Sequence, residues 1–459
     1  MATTRRPPPR PAARCTRTAL GPGEPALTPA HDHDPAFAAA VLAKVTRRLI
    51  PFMFVLYVIA YLDRINIGFA ALQMRQDLGF TDTVYGLGAG IFFIGYFLFE
   101  VPSNLIMHRV GARVWMARIM ITWGVISAAM MLVRGVTSFY ALRFLLGAAE
   151  AGFFPGMILY LTYWFPAAEQ ARAVARFMTA TAIAGVVGGP ISGKILEQLG
   201  GVGGLAGWQW LFLLEGLPAV GFGLVALGYL TDRPADADWL APAERAWLTE
   251  RMRREHAERA ERHGYSVIQA LVHGRVWLLA LLYFALVCGL YGVSFWIPQI
   301  IQGFGGLGDF AVGVVSMVPY LAAAIGMVIV GAHSDRRQER RWHLAGPAFV
   351  GAAGLVVSGS VMSPVVSLLA LSLGALGMWS ALGPFWARSA TFASGSAAAG
   401  AIALVNSVGN LGGFLGPFLV GLVKEHTDSF AGGLVVLAGW LVLAGVIALG
   451  LRDEAAPPA

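Results

Sequence analysis

Four ionisable side chains stand inside long apolar stretches of this sequence: Asp63 and Arg64 in one, Arg143 and Glu150 in another. At the centre of a bilayer each such charge costs roughly 2.5–3.5 kcal/mol on insertion scales. The four are tolerable only if they face a cavity or pair with one another. Arg143 and Glu150 lie seven residues apart, two turns along one helical face. Asp63 and Arg64 are adjacent, so their side chains diverge by about 100°. One is expected to face a cavity while the other turns to a neighbouring helix, and Asn66 shares the side of Asp63. A carboxyl group in a low-dielectric cavity exchanges a proton as its partners and solvation change, which is how intramembrane acids make proton relays. Asp63 and Glu150 are therefore the expected proton-coupling groups. Arg64 is the natural partner of a substrate carboxylate, because a planar guanidinium binds one bidentately. Arg143 reads as a gate or as a structural partner of the acids.

The elements that must hold these groups are membrane helices. Of the 459 residues, 57% are hydrophobic and only 13% charged, against about 25% charged in a soluble domain. A spanning helix needs about 20 mostly apolar residues. Twelve candidates follow: 50–70, 84–106, 115–133, 138–164, 173–196, 208–230, 277–301, 311–331, 344–362, 365–390, 398–423 and 432–451. The net charge of +7 does not indicate nucleic acid, because the basic residues punctuate apolar runs as cytoplasmic loops do. Arg109, Arg113, Arg172, Arg176, Arg336, Arg337, Arg340 and Arg341 fall in alternate loops, and Arg75, Arg134, Lys194 and Lys424 in the others. This bias predicts a multi-pass membrane protein with both termini cytoplasmic.

The expected organisation is a disordered cytoplasmic tail (1–43), a six-helix bundle (44–230), a cytoplasmic linker (231–276), a second six-helix bundle (277–452) and a short tail (453–459). Within the linker, Glu and Arg interleave at helical spacing from Ala241 to Arg262, which predicts a surface helix bridging the halves. Cys15 lies in the polar tail and Cys288 in an apolar run, so no disulfide is expected, and the spacing suits no metal. No nucleophile–base pair or phosphate loop is evident, so no enzyme activity and no cofactor are expected. The glycine runs at 185–193 and 409–416 follow no strand and read as close helix contacts.

A repeat supports the division into six plus six. Asn104-Leu-Ile-Met-His108-Arg109-Val-Gly111-Ala-Arg113 follows the second span, and Gly331-Ala-His-Ser-Asp335-Arg336-Arg337-Gln-Glu-Arg340 follows the eighth. The second copy resembles the loop signature of major facilitator transporters, and Arg143-Phe-Leu-Leu-Gly147 resembles their Arg-x-x-x-Gly motif. Narrower matches are Tyr61-Leu-Asp63-Arg64-Ile-Asn66-Ile-Gly68, Glu100-Val-Pro-Ser-Asn104, Glu150-Ala-Gly-Phe-Phe-Pro155-Gly156 and Trp210-Leu-Phe-Leu-Leu-Glu215-Gly216. These resemble the anion:cation symporter family, which includes tartrate, phthalate and galactonate permeases; the wording is nearest the tartrate-type members.

The resemblance implies an all-α membrane protein of twelve transmembrane helices, with the major facilitator fold of two pseudo-symmetric six-helix bundles around a midplane site. It implies import of a small organic acid anion, tartrate-like or another carboxylate, by proton symport. Family members place acids for proton coupling in the slots of Asp63 and Glu150. The family pattern puts Tyr61 and Tyr96 on the N-terminal wall of the site, and Trp386 and Asn406 in slots that contact substrate in sugar-acid relatives. Tyr291, Trp296 and Gln299 are weaker candidates. Asn66, Asp335, Arg336, Arg109 and Gly111 read as gating or structural residues, with Asp335-Arg336-Arg337 closing the cytoplasmic side and His108 weakening the first copy's latch. Glu100, Asn104 and Glu215 lie toward helix ends in this reading and serve packing or gating. Gly383 replaces a serine of sugar-acid relatives, and Tyr283 falls near a replaced glutamine, which favours a substrate with fewer hydroxyls. The expected partners are a small carboxylate, protons and membrane lipids, with no nucleic acid, for a monomeric protein. Competing readings are a proton-coupled exporter of an amphipathic compound and a non-transporting membrane sensor.

Overall fold

The structure, a computed structural model, describes residues 34–261, 273–391 and 395–451, and these contain helices and no strand. The first bundle comprises α1 (Pro35–Leu78), α2 (Asp82–Val110), α3 (Ala112–Ala129), α4 (Val136–Glu150), α5 (Phe153–Trp164), α6 (Ala167–Met178), α7 (Ala180–Leu199) and α8 (Gly207–Tyr229). The linker helix α9 is Pro242–Glu261. The second bundle comprises α10 (Gly274–Ser294), α11 (Ile297–Gln302), α12 (Asp309–Arg337), α13 (Arg341–Ser360), α14 (Pro364–Thr391), α15 (Gly395–Asn410), α16 (Gly412–Thr427) and α17 (Phe430–Gly450).

Four spans are helices in two pieces: α4–α5, α6–α7, α10–α11 and α15–α16. With these joined, each bundle has six spans among the described residues. Eleven are long and apolar enough to cross a membrane on length and composition. The remaining one, α6–α7, carries the expected 173–196 segment. Its break at Thr179, its glycines and the charges of Lys194 and Glu197 dilute the apolar run. Bilayer exposure explains the outward-facing Leu98, Leu105, Val328 and Val365, each more than half exposed.

α1 takes up the last nine residues of the expected tail, 35–43. Asp34 caps it, its carboxylate accepting from the Ala36 N–H at 2.9 Å, and Pro35 takes the first helical position. Val41 and Val45 are fully buried, and Phe37 meets Trp247 of α9 edge-on at 6.0 Å. Residues 35–43 therefore belong to the helix and not to a tail. α9 touches the first bundle through Trp247 and through a 2.5 Å Lys44–Glu244 ion pair. Cys15 lies outside the described residues; Cys288 is a buried free thiol.

Within the first bundle α3 packs on α8, α1 on α7 and α8, and α2 on α4; within the second, α13 packs on α14 and α17, and α10 on α15, α16 and α17. The bundles meet along two symmetric seams, α2 against α16 and α7 against α12. Glycine makes both possible. A Cβ on Gly189 would lie 2.3 Å from the Gly313 carbonyl oxygen, and one on Gly86 would lie 2.5 Å from that of Pro417. Main chain touches main chain there, so any side chain would force the bundles apart.

Candidate functional site

Between the bundles lies a cavity of about 70 Å³. Tyr61, Arg64 and Tyr96 line it from the first bundle, and Tyr283, Trp386 and Asn406 from the second. Tyr57, Phe154, Tyr291 and Trp379 extend its aromatic wall. Pockets that hold a ligand usually measure about 300–1,000 Å³, so the cavity is too narrow to hold a ligand in this structure. Arg64 is the one cation of its lining among the described residues.

Asp63 and Arg64 diverge to opposite sides of α1. Arg64 turns to the cavity, where one guanidinium nitrogen pairs with Glu150 and another donates to the Tyr291 hydroxyl at 3.0 Å. Its guanidinium also stands over the rings of Phe92 and Tyr96, at 5.5 and 5.7 Å. Asp63 turns the other way, into the first bundle, and is not among the cavity-lining residues. There it accepts from Ser127 of α3, and from Asn66 at 3.2 Å. Glu215 of α8 is buried in the same bundle and accepts from Ser192 at 2.7 Å.

Glu150 ends α4. The chain breaks immediately after it, at Ala151 and Gly152, before α5 resumes. Gly152 has φ +85°, and a Cβ there would lie 2.4 Å from the Ser103 hydroxyl, so both conformation and space require glycine. Arg143, two turns earlier, is fully buried, but it pairs with neither acid. It donates to the carbonyl oxygens of Gly88 at 3.2 Å and Ala89 at 2.8 Å, tying α4 to α2.

Tyr61 is buried on the wall with a hydroxyl that has no hydrogen-bond partner. Trp386 meets Tyr283 edge-on at 4.9 Å, and Tyr283 stacks on Phe385 at the same distance. Asn406 both lines the cavity and donates to Glu100, and Ser407 donates to the other Glu100 oxygen at 3.0 Å. Glu100 is thus not near a helix end, as the sequence reading placed it. It is 3% exposed and bridges the two bundles.

The loop residues behave differently from the expected latch. Asp335 pairs with Arg340 at 2.6 Å inside its own loop, and Arg336 and Arg109 are exposed. In the first copy Asp232, from the segment after α8, supplies the carboxylate that His108 lacks. It accepts from the Arg113 N–H at 2.8 Å, against Gly111, whose φ is +100°.

Among the described residues, a cluster of charges joins the bundles on the opposite face. Arg75 and Lys424 both reach one oxygen of Asp82, at 2.6 and 2.8 Å, and Arg75 donates to Gln299 at 2.6 Å. Trp296 packs beneath them and donates to the Pro417 carbonyl at 3.1 Å. Gln73 donates to Asp309 at 2.6 Å, and Glu425 accepts from the Thr83 N–H at 2.7 Å. This latch was not found in the sequence, because its members read as unrelated loop charges at the ends of apolar runs.

The family model described as Major Facilitator Superfamily matches residues 53–417. A protein of Agrobacterium vitis named "Putative tartrate transporter" is 52% identical over 415 residues, covering 90% of this chain and 95% of that protein. A "Quinolone resistance transporter" of Acinetobacter baumannii is 44% identical over 402 residues, covering 88% and 92%. Among solved structures, a bacterial homologue of the human lysosomal transporter Spinster, inward-facing and unoccupied, superposes with a TM-score of 0.71 at 16% identity, covering 91% of this chain and 97% of that one.

Proposed function

This chain belongs to the Major Facilitator Superfamily and is a transporter, and we propose that it imports a small organic acid anion together with protons. The observation that carries this reading is the Arg64–Glu150 pair, in which Arg64 lines the cavity and Glu150 lies buried directly behind it. While Glu150 is ionised it occupies the cavity's cation. A proton on Glu150 removes that competition and frees the guanidinium fork for a substrate carboxylate. Proton and anion then favour each other's binding, and by linkage the coupling is reciprocal. Asp63, buried in the first bundle away from the cavity, is the second proton carrier of this reading. Tyr61, Tyr96, Trp386 and Asn406 complete the substrate contacts. Asn66 orients Asp63, and Arg143 holds α4 against α2.

The bundles rock about this site. Opposite-face closure is made by the Arg75–Asp82–Lys424 latch and the glycine seams, and the Gly111–Asp232 and Asp335–Arg340 contacts stiffen the basic loops. The arginine-rich face is the cytoplasmic one, in the plasma (inner) membrane with both termini inside. Each elementary charge crossing is worth about 2.3 kcal/mol per 100 mV. A monoanion carried with two protons therefore enters with the potential, and two acids make that stoichiometry available. The tartrate-type relatives support a tartrate-like acid, and the aromatic wall supports an aromatic carboxylate equally well. The test is uptake of tartrate and benzoate into proteoliposomes under an imposed pH gradient. An acid interior should abolish accumulation of the transported acid, and E150Q should bind it without pH dependence. Undiminished proton-driven uptake in both E150Q and D63N would end the reading.

A second reading, export of an amphipathic compound in exchange for protons, draws on the name of the Acinetobacter relative and on the same aromatic wall. It reverses the sign of the pH-gradient dependence.

A further inference from the structure

Glu100 stands one helical turn beyond Tyr96 on α2, just past the cavity on the side of the arginine-rich face. Its two carboxylate oxygens are held by two neutral donors of the other bundle, Asn406 at 2.5 Å and Ser407 at 3.0 Å. All three residues are buried. Asn406 also belongs to the cavity wall. The second bundle thus presents a carboxylate-binding donor on the cavity wall, Asn406, with a second, Ser407, next to it in the chain, and a carboxylate of the first bundle fills both.

We propose that Glu100 is a built-in stand-in for the substrate, which takes the carboxylate-binding donors Asn406 and Ser407 when the carrier is empty and so lets the unloaded bundles close. The proposal rests on the reading that the substrate is a carboxylate. Donors buried without a partner oppose closure. In the loaded carrier the substrate satisfies Asn406, and Glu100 gives way to it. In the empty carrier nothing else in the cavity does so. Net uptake requires the empty carrier to return across the membrane at every cycle, whereas exchange of external for internal substrate runs on the loaded carrier alone. A residue needed only for the empty return therefore separates the two activities.

The test compares net uptake with counterflow of labelled tartrate or benzoate in proteoliposomes of the full chain. E100A should lower net uptake by about tenfold or more while counterflow stays within about twofold. E100Q keeps an acceptor for Asn406 and should restore most of the net uptake. Loss of both activities in parallel, or of neither, overturns the proposal, as does an E100Q variant no better than E100A. If the wild-type protein takes up neither acid, the carboxylate reading itself has failed. The gate is then read without ligand, from spin labels at V110C and Q338C on the two bundles in a C15S/C288A background. E100A should widen their separation relative to the parent, and an unchanged distance distribution overturns the inference.

Discussion

Arg64 of α1 and Glu150 of α4 hold each other at the edge of the central cavity, and the same guanidinium reaches across to Tyr291 of the second bundle. One side chain therefore meets an acid of its own bundle, the bundle opposite and the empty space between them. Removing it should have two separable effects. R64A leaves Glu150 buried and unpaired, which costs about 3–5 kcal/mol, and also removes the substrate fork, lowering carboxylate affinity by about ten- to a hundredfold. In R64A/E150Q the melting temperature should recover while binding does not. Calorimetric titration and thermal unfolding of the two variants check this.

The α7–α12 seam should reject the smallest added side chain. In G189A the new methyl would sit against the Gly313 carbonyl, and overpacking of that kind costs about 1–3 kcal/mol. The cost falls on the state in which the opposite face is closed. A cysteine at position 290, on the cavity wall, should then react faster with an impermeant thiol reagent added from that face. An unchanged rate would show that the seam yields elsewhere.

Asp82 holds two cations that would otherwise repel each other. D82N should favour the same opening as G189A, but by an electrostatic route. Its effect on thiol reactivity should shrink as salt rises from 0.05 to about 0.5 M, since screening shortens the reach of partly exposed charges. The effect of G189A should be indifferent to salt.

In the linker, the Arg253 and Arg254 guanidiniums hold the Glu250 carboxyl down, from 4.5 to about 2. A carboxylate depressed on folding adds stability above its unfolded value, and that stability is lost as pH falls toward its folded value. Amide exchange in α9 should therefore be flat from pH 8 to about 5 after correction for intrinsic rates, and should quicken only below about pH 4. E250Q should shrink that acid-dependent step, leaving the part that belongs to the Lys44–Glu244 pair.

Much of the site was legible because intramembrane charge is rare enough to be conspicuous. Asp63, Arg64, Arg143 and Glu150 stood out on cost alone, and adjacency already implied that Asp63 and Arg64 could not share a ligand. Which of the two met the cavity depended on Ser127, a contact 64 positions away. Glu100 was misplaced because the apolar run thins before α2 ends, and because its partners lie 306 and 307 residues on. The start of α1 was written in Asp34-Pro35, a capping pair, but the Pro- and Arg-rich stretch before it dominated the composition. The break at Thr179 carries no local signal of the kind Gly152 provides, and at Leu411 the flanking glycines are the same ones that serve close helix contact.

The smallness of the central cavity bears on electrical insulation. A file of hydrogen-bonded water bridging about 30 Å of hydrocarbon at about 2.8 Å per link needs about ten molecules, and a space of about 70 Å³ holds only a handful. The cavity by itself, among the described residues, is therefore too small to hold such a file, and any leak would have to run outside it.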